Sequence, residues 1–452
     1  MPVQESGENL IVNKNFIRRM EKDIHKYDIL YLFAPFGWSK EAYLSEFLKH
    51  QDQNQIIFLE EPSSEQLQEI RSSVTGEKRI FVIPRLERML DQGHQELLWE
   101  LLAEKRKTDV FLFASSVAVP ERLLPYTILY KYVFYGLEDL KPDSSDVADY
   151  MANRGVKLTQ EELERIEKDS GNLPLFIQML ANLLYGAKKG YSRTIREQCQ
   201  EDVFTYIDVV FFRTLDAKDQ NALLRLSCLE ELDTRLISHL LEIPGNQVEA
   251  FMERMLTKGS ILEKKGDVWT FQPLMRQFLE RSMYRYIEYE ERQSDYKKAM
   301  DYLLTHRKWM DALRFAYILQ DRERMAVCLE ELLTVRAGYS LGVALDKYFQ
   351  ELTMDILVMH PKLLLAGSVL KAVTGEVRAS QQYERIYRQC MEQEQDGVRR
   401  RQMQHSLLHM YVSRPGTLGI DVEASRQRLR EIIENDESVE DGFRLEIGRA
   451  HV

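Results

Sequence analysis

A chain of 452 residues is longer than one hydrophobic core of ordinary size organises, so roughly three domains are expected. With 44% hydrophobic and 29% charged residues, and only 21 Gly and 12 Pro, the composition excludes extensive disorder and suits a helix-rich globular protein. The formal net charge of -11 excludes capture of nucleic acid by bulk charge.

Residues 1–136 form the first expected domain. From residue 28 onward, short β-rich runs alternate with helical stretches: DILYLF, KEAYLSEFLKH, QIIFLE, SEQLQEIRSS, KRIFVI, HQELLWELLAEKR, DVFLFA and ILYKYVFY. Such alternation predicts an α/β unit, a parallel sheet covered by helices, and the nearly continuous apolar character of the strands predicts burial on both faces. The opening stretch MPVQESGENLIVNKNF is polar and acidic, unlike a signal peptide. The apolar run LLPYTILYKYVFYGL is broken by Lys131 and is too short for a membrane helix. A cytoplasmic protein with no membrane partner is expected.

Residues 137–215 turn helical, with apolar residues three and four apart in ADYMANRG, LTQEELERIEKDSGN and PLFIQMLANLLYGAKKG. Thr159 and Glu162 make a capping box, while Gly171 followed by Pro174 ends one helix and starts the next. Residues 216–287 read as three helices and a β-hairpin turning at Lys265-Gly266-Asp267, a winged-helix pattern. The third of these helices sets Glu249 and Glu253 against Arg254 and Lys258, which is poor for entry into a DNA groove. Residues 288–452 are expected to be helix pairs of the tetratricopeptide kind, an α-solenoid, with Ala312, Ala316, Ala326, Gly367, Gly375 and Ala379 at close-packing positions. The aromatic stretch with Tyr284, Tyr286 and Tyr289 is expected to pack between domains, and His306 and His360 to be surface or cap positions. Cys199, Cys228, Cys328 and Cys390 lie far apart with no CxxC, so they read as scattered thiols rather than a zinc site.

The stretch APFGWSKE, residues 34–41, stands where a phosphate loop GxxxxGK[ST] would stand, after one predicted strand and before a helix. Such a loop uses glycines to close backbone N–H groups on phosphate, a lysine for charge and a hydroxyl for magnesium. Ala34 replaces the first glycine of the motif, Ser39 replaces the second, Lys40 is kept, and Glu41 replaces the hydroxyl. A carboxylate at position 41 facing a phosphate at about 4 Å would be repelled by roughly 4 kcal/mol in a partly buried site, on the order of a thousandfold in affinity. With so much of the motif gone, Lys40 reads more readily as a solvated lysine at a helix start, Trp38 as a loop anchor and Pro174 as a plain first helical residue.

Taken together, YLFAPFGWSKEAYLSEFL, SGNLPLFIQMLANLL, VWTFQPLMRQFLE and MDYLLTHRKWMDALRFA resemble, in order and spacing, the MalT-like, LuxR-type regulators of the STAND class. The resemblance covers nearly the whole chain. It implies a P-loop NTPase-like domain, a helical lid, a winged helix and a helical-repeat sensor, with a DNA-binding helix-turn-helix following them. It implies ATP or ADP as the cofactor, contacted at Gly37, Ser39, Lys40, Glu41, Pro174 and Gln272, with a small-molecule or protein inducer at the repeats and self-association as output.

Where the family resembles APAGYGKTT, this chain has APFGWSKEA; Pro84 and Arg85 replace the acidic pair that usually ends the third strand, leaving no carboxylate there. Ser116 stands in place of an arginine after the fourth strand, and Gln272 in place of a winged-helix histidine. SGNLP, with Pro174, is intact. No hydrolysis and no metal are expected; an active ATPase would need a carboxylate from elsewhere, such as Glu60 or Glu61. DGFRLEIGRAHV breaks off inside an apparently helical stretch, so a truncated product is expected. The rival reading is a non-enzymatic scaffold whose helical repeats bind protein.

Overall fold

The computed structural model describes residues 11–51, 55–59, 70, 78–91, 95–116, 119–186, 190–259, 262–266, 268–335, 339–413 and 427. The predicted stretch SEQLQEIRSS (all but Ile70), Glu60 and Glu61, Asp267 and the segment DGFRLEIGRAHV lie outside these residues. The chain divides into two compact units, 1–288 and 289–452.

The first unit is built on a five-stranded parallel sheet: β1 (Ile29–Phe33), β2 (Gln55–Phe58), β3 (Arg79–Ile83), β4 (Val110–Ser115) and β5 (Tyr132–Tyr135), in the spatial order β2-β3-β4-β1-β5. Leu30 pairs with Leu112 on one side and Val133 on the other, which fixes β1 inside the sheet. The three inner strands are buried almost without a break, whereas the two edge strands are partly exposed. That contrast is what apolar runs covered on both faces produce.

Helix α1 (Lys14–Asp23) and helix α2 (Lys40–Leu48) cover one face. Phe16, Met20, Tyr43 and Phe47 pack there on Leu30, Leu32, Val82 and Leu112. Asn13 caps α1 by accepting from the Phe16 N–H at 3.0 Å, and its own amide donates to the carbonyls of Asp139 and Lys141. Helix α3 (Leu86–Asp91) and helix α4 (Gln95–Ala103) cover the other face, where Leu86, Met89, Leu98 and Leu102 meet Tyr31, Phe81, Phe111 and Phe113. Between β4 and β5 the chain passes over this second face, burying Leu123 there, with the short helix α5 (Leu124–Leu129).

After β5 come α6 (Leu137–Leu140), α7 (Ser144–Asn153), α8 (Gln160–Ser170), α9 (Pro174–Gly186) and α10 (Arg193–Val210). Thr159 caps α8 in a reciprocal box with Glu162, and Gly171 ends it in the left-handed conformation, φ 59°. Three further helices, α11 (Ala217–Leu226), α12 (Thr234–Leu241) and α13 (Gly245–Gly259), precede the antiparallel hairpin of β6 (Leu262–Lys265) and β7 (Val268–Phe271). Leu232 bridges Trp269, adding a third short rung to the hairpin. Helix α14 (Pro273–Tyr286) follows; Tyr286 stacks on Phe212 at 6.3 Å, while Tyr284 and Tyr289 are exposed.

The second unit is helical throughout its described residues: α15 (Tyr289–Thr305), α16 (Trp309–Ile318), α17 (Arg322–Val335), α18 (Tyr339–Phe349), α19 (Met354–Met359), α20 (Pro361–Val373), α21 (Val377–Gln393) and α22 (Gly397–Ser413). Consecutive helices pack against each other, α15 on α16, α16 on α17 and α20 on α21. Ala312, Ala316 and Ala326 are fully buried at these contacts, and Gly367 lets the Tyr383 ring approach to 3.5 Å of where a Cβ would stand. Ser368 and Ser380 exchange hydrogen bonds across the α20–α21 pair, so each buried hydroxyl is satisfied. His360 lies 2.8 Å from Glu330, and His306 stacks on Tyr302 at the surface. The four cysteines are free, no metal-holding cluster occurs among the described residues, and none of the described helices is long and apolar enough to cross a membrane.

Candidate phosphate-loop site

The strand order places a crevice at the carboxyl ends of β1 and β4. The chain leaving β1 runs through α2 on one face toward β2, and the chain leaving adjacent β4 crosses over the opposite face toward β5. Two neighbouring strands whose exits part in this way open a cleft between them, the position at which open parallel sheets bind ligands. Residues 34–40 occupy it. Ala34 donates its N–H to the Ser115 carbonyl at 2.9 Å, so the loop starts as a continuation of the sheet.

Two residues of the loop take the left-handed region: Gly37 at φ 89° and Ser39 at φ 52°, ψ 44°. Position 37 therefore needs glycine, and position 39 holds a strained serine where the motif would have glycine. The amide groups of Lys40 and Glu41, the first of α2, have no hydrogen-bond partner among the described residues. Trp38 packs against the core below the loop, as an anchor would.

Lys40 overturns its reading as a solvated side chain. Its side chain is nine-tenths buried; its ammonium donates to the Ser116 hydroxyl and lies 3.4 Å from Glu87 Oε1. No carboxylate stands at the end of β3 itself, but one stands close by. Pro84 and Arg85 do replace the acids at the strand end, but the chain makes one more turn and sets Glu87 in the first turn of α3. From there Glu87 Oε2 accepts from the Ser115 hydroxyl at 3.1 Å and the Ser116 N–H at 3.2 Å. A cation and two donors face this buried carboxylate, so neither of its oxygens is left without a partner. Ser116, read as the loss of an arginine, is the residue that completes this cage.

Glu41 points elsewhere. Its carboxylate lies 3.7 Å from the Arg85 guanidinium, both side chains being part-exposed. The two departures from the motif thus compensate each other: the acid replacing the hydroxyl pairs with the base replacing the acids. A magnesium ion does not fit this arrangement, since position 41 offers no hydroxyl, an arginine stands beside it, and Glu87 is engaged on both oxygens.

The segment SGNLP closes over the loop. Asn172, buried in the left-handed conformation at φ 57°, donates to the Pro142 carbonyl at 2.9 Å. That turn directs the Leu175 N–H onto the Gly37 carbonyl at 3.1 Å and lays Leu173 and Leu175 against Gly37. Pro174 is buried between them. Phe36 contacts Tyr206 and Phe211 at ring-centre distances of 6.1 and 6.3 Å, which adds α10 to the cover. Helix α13 packs against α3, the helix that carries Glu87. Gln272, at the cap of α14, keeps a buried Nε2 with no partner among the described residues. The hydrogen bonds and contacts described above bring Gly37, Ser39, Lys40, Glu41 and Pro174 together, and none of them involves Gln272. Sequence reading missed Glu87, Ser115 and Leu175.

No protein-family model and no curated protein sequence matches the chain. Among solved structures it is similar to a signal transduction ATPase with numerous domains (STAND) protein with a tetratricopeptide repeat sensor from Pyrococcus horikoshii, at 14% identity and a TM-score of 0.34. That match covers 96% of this chain and 66% of the other, so the chain spans slightly under two thirds of its length. It is also similar to a Walker-type ATPase of Pyrococcus abyssi, at 13% identity and a TM-score of 0.43, over 60% of this chain and 96% of that one. A third similarity is to the Thermotoga maritima RuvB Holliday junction branch migration motor, at 11% identity and a TM-score of 0.36, over 61% and 99%. What chemistry is open to the chain is set by its own residues.

Proposed function

We propose that this chain is the signal-sensing and regulatory part of a MalT-like, LuxR-type transcriptional regulator of the STAND class, and that its phosphate loop does not hydrolyse ATP. The observation that carries the non-enzymatic part is the internal neutralisation of the site. Lys40 is held by Glu87 and Ser116, Glu41 is held by Arg85, and the loop is charge-balanced with no ligand. A nucleotide would meet two free amides at the start of α2 and would gain Lys40 only when Glu87 releases it. The order of the motifs supports the regulator: phosphate loop, SGNLP cover, three helices with a hairpin, then paired helices. In this reading an inducer binds the paired helices, self-association is the output, and DNA is contacted by a segment outside this chain.

Calorimetry with ADP and ATP, with and without magnesium, tests it on the wild-type chain and on Lys40→Ala. Binding that does not depend on magnesium, is lost in Lys40→Ala, and releases no phosphate on long incubation is the expected result. Phosphate release abolished by Lys40→Ala would overturn the proposal. The closed loop also favours a second reading, a scaffold that binds protein through its helices; no heat at millimolar nucleotide would select it.

A further inference from the structure

The end of the sheet opposite the phosphate loop carries a second concave site. A cavity of about 660 Å³ opens beneath the amino ends of β1, β3, β4 and β5, lined by residues that immediately precede those strands. Strands of four to six residues separate the two ends by about 17 Å at ~3.3 Å per residue. In a chain of net charge -11 this lining is strongly basic: among the described residues, Lys26, Lys78, Lys105, Arg106, Lys107 and Lys131 surround a single carboxylate, Asp28.

That carboxylate is already committed. Asp28 accepts from the Lys105 ammonium at 2.9 Å and from the Lys131 N–H at 3.0 Å, and Lys105 also lies over the Tyr130 ring at 5.1 Å. Lys105 is almost wholly buried and holds the cavity wall in place. Lys26 is 3.6 Å from Asp23, on α1. Lys78 donates to the Ile24 carbonyl at 2.7 Å, and burial pushes its pKa down. Lys78, Lys107 and Lys131 have no carboxylate at ion-pair distance among the described residues. These three cations, with no facing carboxylate among the described residues, repel one another, and the low-dielectric walls concentrate the field between them. An anion with several charges relieves that repulsion; a single carboxylate or chloride leaves most of it.

We propose that this cavity binds a small oligophosphate, a ligand with two or more linked phosphate groups. Its volume lies within the range of small-ligand sites, and lysines spread around a rim serve phosphate as point charges without demanding one geometry. The site is independent of Lys40 and of any reading of the phosphate loop.

Inorganic tripolyphosphate is the probe, titrated into the full chain by calorimetry at low ionic strength and again near 150 mM salt. Binding is expected at low salt, weakened at high salt, and reduced at least tenfold by Lys107→Ala/Lys131→Ala, whose side chains are exposed and whose removal leaves the fold intact. Lys40→Ala is expected to retain it. No heat at 1 mM tripolyphosphate and low salt would overturn the proposal, as would equal affinity in the double variant or loss in Lys40→Ala alone. A parallel titration with a short single-stranded oligonucleotide separates the two sources of phosphate. Lysine-dependent binding of the oligonucleotide without binding of tripolyphosphate would also sink the small-ligand assignment.

Discussion

The two ends of the central sheet handle charge in opposite ways. At the carboxyl end every charged group of the loop has a partner: Lys40 with Glu87, Glu41 with Arg85. At the amino end six cations line a cavity with one acid among the described residues there. A motif reading directs attention to the first end, because APFGWSKE looks like a damaged phosphate loop. The charge balance directs it to the second, where positive potential is left over. The end that carries the motif is neutralised from within, and the end that carries no motif keeps cations that no carboxylate faces among the described residues.

The amino end is built on a buried ion pair, and breaking it should have the largest effect. Arg79 and Asp109 meet in a two-point contact, Nε to Oδ1 at 2.8 Å and an Nη to Oδ2 at 2.6 Å, with both residues buried. Asp109→Ala leaves a guanidinium without its carboxylate inside the protein, at a cost of about 3–5 kcal/mol. Urea unfolding followed by a probe in residues 1–288 should show that loss. A change under about 1 kcal/mol would mean that Arg79 is satisfied by other groups.

At the carboxyl end, Glu87→Gln keeps an acceptor for Ser115 and Ser116 and removes the charge facing Lys40. Destabilisation of roughly 1–3 kcal/mol is expected, the scale of hydrogen bonds to a charged group. The same change frees the Lys40 ammonium, so ADP affinity should rise relative to wild type. If affinity stays the same while stability falls, Glu87 is not what keeps the loop closed.

The uneven legibility of the two ends has a physical cause. Inner strands covered on both faces must be apolar throughout, so RIFVI and VFLFA announced themselves, and the Thr159–Glu162 cap is local enough to be read from four residues. Glu87 is hard to read because the motif sets its acids at the strand end, positions 84 and 85, whereas the chain makes a further turn before presenting its carboxylate. A glutamate in the first helical turn after a buried strand was the available signal. The basic cavity escaped because its lysines are scattered along the sequence and converge only where parallel strands begin side by side. Each stands just before a strand, Lys78 ahead of RIFVI and Lys131 ahead of YVFY, and that shared placement is readable once a parallel sheet is expected.

A smaller effect tests the one acid of the cavity. Burial opposes the charge on Asp28, but hydrogen bonds from Lys105 and the Lys131 N–H outweigh it and hold its pKa below the usual carboxylate range. A folded pKa below the unfolded one gives stability that is present above the ordinary carboxylate pKa and lost as pH falls through the depressed folded value. Asp28→Asn should therefore lower stability at neutral pH and flatten the acid limb of the stability curve below about pH 4. An acid limb identical to wild type would show that Asp28 carries no such linkage.

The smallest expected change in stability lies in the Glu41–Arg85 pair. At 3.7 Å, with side chains 46% and 39% exposed, solvent screens the attraction, and Arg85→Ala should cost no more than about 1 kcal/mol. Its effect on ligand binding should nevertheless oppose that of Glu87→Gln. Removing the guanidinium bares a carboxylate at the mouth of the loop, next to where phosphate would approach, and ADP affinity should fall by up to about fivefold, the binding equivalent of roughly 1 kcal/mol. Opposite signs from two substitutions on either side of the same loop are hard to obtain from a general loss of structure, which would weaken binding in both. If both variants weaken ADP, the two substitutions act by loosening the loop and not through the sign of the charge they remove.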